Sequence, residues 1–237
     1  MRFDRIGRLL STNKVTITPE KVTKSYSLVS LHMLWAILER TPPFTLPQKR
    51  YSREKRLMTK FYNGGLNTPE LLRADDKKSI LEFRTLELTD LVVVFLDPRI
   101  PPDEKFQYFR DTLEQLKGIH DLGESHGDPY LKNWFRLDKS YENRGPIYTC
   151  DFEHERVSPD LQMTDILLLV ADATNLLNNY HSNESSATLT ALREVYGNDL
   201  SFPFDRRDQF FYRARFGMKD QFFDYFTNDR TINIPNK

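Results

Sequence analysis

Apolar positions change their spacing several times along this chain, and each change predicts an element. Residues 15–17 and 22–29 are rich in β-branched side chains, which suit a pleated, half-buried surface. Thr18-Pro19-Glu20-Lys21 between them reads as a turn, so the two runs read as a hairpin. Residues 31–40 carry helical spacing and stop at Pro42 and Pro43. Three prolines make 41–49 a loop. Ser52 then caps a helix to about Tyr62, with Leu57, Met58 and Phe61 on one face, and Asn63-Gly64-Gly65 ends it. Two short strand-like runs follow, Glu70 to Arg73 and Ser79 to Arg84, joined by a turn at Asp75 to Lys78.

After about Leu88 the pattern turns helical. Phe106, Phe109, Leu113, Leu116 and Ile119 recur at steps of three and four, which predicts an amphipathic helix from Asp103. A loop at 121–133, a short strand at Ile147 to Cys150, a buried helix from Asp165 and another helix at 187–196 come next. The tail beyond Ser201 is aromatic, with Gly217 between two short helices packed on the rest. Strands precede helices, so the fold class is α+β, a β-rich N-terminal lobe over 1–85 and a helical C-terminal lobe over 86–237 of one domain.

Composition narrows the chemistry. Lys+Arg and Asp+Glu are both 34, so the net charge is zero and a broadly basic nucleic-acid binder is not expected. The single cysteine, Cys150, excludes a disulfide framework and a Cys-cluster zinc site. The longest apolar runs, Leu91 to Leu96 and Ile166 to Ala171, are too short to span a bilayer. Asp4 and Arg8 stand where a signal peptide needs an apolar core. The expectation is a cytoplasmic protein with no membrane span.

The informative segment is 126–133, His-Gly-Asp-Pro-Tyr-Leu-Lys-Asn, on the loop after the amphipathic helix. Asp151-Phe152-Glu153 follows a short strand. Phosphoryl transfer needs an Asp to orient the attacking hydroxyl, and an Asn and a second Asp to hold Mg²⁺ on the phosphate oxygens. Magnesium takes hard oxygen ligands, usually only one or two of them from carboxylates. Asp128, Asn133 and Asp151 supply that set, Asp128 as the catalytic residue and the other two as metal ligands. His126, Asp128 and Asn133 match H-x-D-x-x-x-x-N in identity and spacing, and Asp151-Phe152 matches the start of D-F-G. With Asp128 in that role, His126 is left to brace the loop. Lys132 could reach the transferred phosphate or only water. The other histidines lack metal-ligand spacing.

In these residues the chain resembles the small atypical protein-kinase-like proteins: the KEOPS-complex kinase, the RIO kinases, and the sugar kinases acting on lipopolysaccharide core or aminoglycosides. His-Gly-Asp is the form they favour. Residues 53–72 resemble their R-E-x-x-x-L helix leading through a glycine turn into N-T-P, which makes Glu54 the helix glutamate. Residues 22–27 resemble their third strand, which makes Lys24 the phosphate-contacting lysine, with Lys21 as its competitor. Residues 79–85 resemble the fifth strand and hinge, where backbone groups of Glu82, Phe83 and Arg84 would meet adenine. Asp165 matches an aspartate that braces the catalytic loop. The resemblance implies a two-lobed kinase-like fold with ATP and Mg²⁺ as cofactors. The acceptor would be a Ser/Thr hydroxyl of a protein partner or a sugar hydroxyl.

The chain also departs from that pattern. No G-x-G-x-x-G precedes Lys24, and Gly7 is the only glycine before Gly64. Glu153 replaces the glycine of D-F-G, and only eleven residues separate it from Asp165. A nucleotide-binding scaffold without catalysis and an ATPase are therefore the rival readings.

Overall fold

Along Lys21–Tyr26 the inward positions are Lys24 and Tyr26, the alternation of a strand with one face turned to the interior. The computed structural model describes residues 13–26, 47–137, 147–152, 161–178 and 184–197. The helix expected at 31–40 and the aromatic tail beyond Ser201 lie outside the described residues.

Strands β1 (Asn13–Ile17) and β2 (Lys21–Tyr26) form the expected hairpin, with Val15 opposite Lys24 and Ile17 opposite Val22. Thr18 closes it, donating N–H to Lys21 O at 2.9 Å. Helix α1 (Pro47–Asn63) begins at Pro47, inside the stretch expected to be a loop, rather than at Ser52. Proline is tolerated in a first helical turn, where its missing N–H would have had no partner. The extra turn buries Arg50 and Tyr51 beside Glu54, Leu57, Met58 and Phe61. Strands β3 (Leu71–Asp75) and β4 (Ile80–Arg84) follow. The four strands make one antiparallel sheet in the order β1-β2-β4-β3.

A second, three-stranded antiparallel sheet has the order β5-β6-β7, from Leu88–Asp90, Trp134–Leu137 and Ile147–Thr149. The strands at 88–90 and 134–137 are too short for an alternation to be read from sequence, so 88–90 is a strand where the sequence pattern predicts the start of a helix. Helix α2 (Leu91–Leu96) is capped by Asp90, whose carboxylate accepts Val92 N–H at 2.7 Å. At its other end the buried Lys105 donates to Phe95 O at 2.8 Å. Helix α3 (Pro102–Asp121) ends at Gly123, whose φ of 75° suits the left-handed turn that hands the chain to the 124–133 loop. Helix α4 (Leu161–Asn178) starts a turn earlier than expected, so Asp165 lies inside it, and α5 (Glu184–Tyr196) follows.

One core joins these parts. Leu57, Met58 and Phe61 of α1 and Leu81 and Phe83 of β4 belong to the same cluster as Phe109, Leu113, Leu116 and Ile119 of α3 and Leu169 and Val170 of α4. The fold is α+β and two-lobed: among the described residues, a sheet with helix α1, then a mainly helical part. No helix among the described residues is long and apolar enough to cross a membrane.

Candidate active site

Strand β2, helix α1 and the segment after β7 converge on one cluster of charges. Lys24 Nζ donates to Glu54 Oε2 at 2.8 Å and to Asp151 Oδ1 at 2.5 Å. Lys24 and Glu54 are buried, with side chains 11% and 2% exposed, while Asp151 is 29% exposed. A buried carboxylate is tolerable only when paired and hydrogen-bonded, and Glu54 has that company. The competing Lys21 leaves the other face of β2 and pairs with Glu82 at 2.7 Å. Asp151 is held at φ 69°, a left-handed conformation that Asp tolerates better than most residues.

The next residue fixes that turn. Phe152 is fully buried, with its ring edge-on to Phe61 of α1 (4.9 Å between centroids) and 4.7 Å from the His126 ring. Helix α1 is tied to the loop before His126 as well. Arg53 donates to Ser125 O at 3.1 Å, Lys60 donates to Leu122 O at 2.9 Å, and Arg56 and Lys60 both meet the Glu124 carboxylate. These cations hold Glu124 well below the usual carboxylate range, at about 2, the Arg56 hydrogen bond weighing most.

The loop at 126–133 is built differently, around backbone groups. Asp165, 1% exposed, accepts N–H from His126 at 2.6 Å and from Gly127 at 3.0 Å. Gly127 has φ 87°, so the second position of His-Gly-Asp takes a conformation that favours glycine. His126 Nδ1 accepts Asp128 N–H at 3.3 Å, which leaves Nε2 as the protonated nitrogen, 2.8 Å from Thr149 Oγ1. Burial pushes the His126 pKa down to about 4, against the opposing pull of Asp165 and Asp128. His126 is thus a neutral bracket whose two nitrogens are occupied, not a base.

Asn133 donates Nδ2 to Asp128 O at 2.7 Å and to Asp128 Oδ2 at 3.0 Å. Both amide hydrogens thus turn toward Asp128. Lys132 Nζ lies 3.4 Å from Asp128 Oδ2. The two halves of the site are adjoined by Cys150, whose N–H donates to Asn133 O at 3.2 Å one residue before Asp151. Burial raises the Cys150 thiol far above its ordinary range.

Of the adenine-facing positions expected from sequence, Glu82 and Phe83 lie inside the ladder. Glu82 is paired with Thr23 on one side and Arg73 on the other, and Phe83 with Val22 and Leu71. Arg84 ends the strand, its N–H donating to Glu70 O at 2.9 Å, and 85–87 are the first residues past the ladder. Sequence reading passed over Tyr26, whose hydroxyl donates to Glu54 Oε2, and Thr149, which meets His126. Strand alternation from Lys24 could have flagged Tyr26, but nothing local points to Thr149. Among the described residues no cluster of three His, Cys, Asp or Glu could hold a metal.

No family model matches this chain, and no curated protein does. Among solved structures it is similar to the MAP kinase LmaMPK10 from Leishmania major, at 18% identity and a TM-score of 0.46 over 94% of this chain and 68% of that one. It is also similar to the PknI kinase domain of Mycobacterium tuberculosis, as a double mutant, at 15% identity and a TM-score of 0.48 over 78% and 82%.

Proposed function

We propose that this chain is an ATP- and Mg²⁺-dependent phosphotransferase that moves the γ-phosphoryl group to a hydroxyl of a protein or sugar acceptor. The observation that carries this reading is the Lys24 ammonium between Glu54 and Asp151, with Cys150, the residue before Asp151, hydrogen-bonded to the backbone of Asn133. A lysine held by a buried glutamate is a fixed cation for phosphate oxygens. Beyond it, Val15 and Ile17 are exposed, and their partners Lys24 and Val22 put them on the same sheet face, an apolar ceiling for a base. Backbone groups of residues 85–87 would meet the edge of adenine, because those of Glu82 and Phe83 and the Arg84 N–H are engaged in the sheet.

The donor set fits magnesium. Asp151 offers a carboxylate and Asn133 an amide oxygen, hard ligands of the number Mg²⁺ usually takes from protein. With the metal bound, phosphate charge would be neutralised there. Asp128 would receive the acceptor's proton as its oxygen forms a bond to the γ-phosphorus and the bond to the leaving ADP oxygen breaks. The Asn133 amide keeps the Asp128 carboxylate oriented for this. A non-catalytic scaffold is the second reading, favoured by the lack of any glycine between Gly7 and Gly64.

Titration with ATP, with and without Mg²⁺, separates them. Asp151→Asn should abolish the Mg²⁺-dependent part of binding. Asp128→Asn should leave binding intact and lower turnover about 100-fold, the usual scale of general-base loss. A scaffold binds Mg-ATP but has no wild-type turnover for Asp128→Asn to remove. Wild-type protein without Mg²⁺-dependent ATP binding would sink both readings.

A further inference from the structure

Tyr26 stands two residues after Lys24 on β2, so both side chains leave the same face of the strand. Its hydroxyl donates to Glu54 Oε2, the same oxygen that accepts Lys24 Nζ. The Tyr26 ring is fixed independently of the charges. It meets the Tyr51 ring edge-on, at 5.7 Å between centroids and an interplanar angle of 77°. Tyr51 is itself anchored, its hydroxyl donating to Asp76 at 2.6 Å. Lys24 Nζ lies 5.4 Å from the Tyr26 centroid, within cation–π range.

This arrangement answers a difficulty in the phosphotransferase reading, on which the inference rests. Lys24 is shared between Glu54 and Asp151 in the structure. Nucleotide phosphate would draw Lys24 toward itself, and a metal would draw Asp151 away. A Glu54 held by Lys24 alone would be left to follow its moving partner. Tyr26 supplies Glu54 with a donor whose ring is anchored against Tyr51 of α1, which is tied in turn to Asp76, and not by the charges that would move. We infer that Tyr26 is a positioning residue: it keeps Glu54 in place while Lys24 exchanges Asp151 for nucleotide phosphate.

The test uses the full chain and Tyr26→Phe, which keeps the ring and removes only the hydroxyl. Affinity for Mg-ATP should fall about tenfold, the scale of a lost hydrogen bond to a charged group. KM for ATP should rise by a similar factor, with kcat changed less than about threefold, since the hydroxyl touches no reacting atom. In a Glu54→Gln background the same change should cost less than about twofold, because the two groups act as a unit. Adenosine, which carries no phosphate, should bind variant and wild type alike. An unchanged Mg-ATP affinity in Tyr26→Phe overturns the inference. So does equal loss of adenosine and Mg-ATP, which marks damage to the fold, or a full tenfold effect in the Glu54→Gln background. Failure of wild-type protein to bind Mg-ATP overturns the phosphotransferase reading and this inference with it, whereas equal binding by wild type and Tyr26→Phe overturns the inference alone.

Discussion

The two halves of the candidate site are held by opposite means. On one side, Lys24, Glu54 and Asp151 come from segments up to 127 residues apart and meet through charge. On the other, residues 126–133 are held by hydrogen bonds to backbone, from Asp165 and Asn133, around a neutral His126. The difference matches the work each would do. An ion pair can exchange one charged partner for another when a ligand arrives, provided that no buried charge is left unpaired. A loop pinned by a buried carboxylate cannot move without orphaning two N–H groups, so its geometry is set before any ligand binds.

That contrast is sharpest at Asp165. Asp165→Ala leaves the His126 and Gly127 N–H groups unpaired in the interior, and should cost about 3–5 kcal/mol of folding stability. Denaturant unfolding measures it; a loss below about 1 kcal/mol would mean that the loop is held by something else. Asp151→Asn, on the ionic side, should cost far less stability in the same assay, because Asp151 is partly exposed.

The neutral bracket makes a pH prediction. The His126 pKa is lowered from 6.5 to about 4, chiefly by burial. Below pH 6.5 the unfolded chain binds a proton there that the folded chain refuses. The contribution is therefore complete above about pH 6.5 and is lost as pH falls toward 4, on the order of 3 kcal/mol in all. Unfolding free energies over that range, for wild type and His126→Gln, should differ in slope by up to about one proton. Parallel slopes would place His126 in solvent.

Coupling between Lys24 and Glu54 should be smaller. A double-mutant cycle of Lys24→Met and Glu54→Gln, read as Mg-ATP affinity, should give about 1–2 kcal/mol of interaction. Strict additivity would break the ion cluster as a unit, and Lys21→Met should then be tried. The weakest effect belongs to the clamp on α1, where the Arg56 and Lys60 partners of Glu124 are exposed. Glu124→Gln should cost about 1 kcal/mol or less, and less again in high salt. Its pKa is depressed to about 2, so the wild-type contribution is present above about pH 4.5 and fades as the pH drops toward 2. A larger loss that ignores salt would show Glu124 to be packed rather than paired.

Local pattern was enough for the elements that carry a long period. The apolar stripe of Phe109, Leu113, Leu116 and Ile119 announces α3, and the turn at Thr18 announces the hairpin bearing Lys24. It was not enough at 88–90 and 134–137, where strands of three and four residues exist only because they pair with each other and with 147–149. The start of α1 was misread for a related reason: Pro47 looks like a breaker, and only burial of Arg50 and Tyr51 rewards extending the helix through it.

For the site, residue identity and spacing along one stretch could be read directly. His126, Asp128 and Asn133 lie within eight residues, and the contacts that bind them to each other are local. Contacts across the chain could not be read that way, because spacing carries no information about which distant side chains meet. That Lys24 rather than Lys21 reaches Glu54 follows from which face of β2 looks toward α1. That the fixed donor on Glu54 is Tyr26 follows from the same face and from the Tyr51 ring behind it. Chemistry was written into short runs of residues; its assembly waited on the packing of strand against helix.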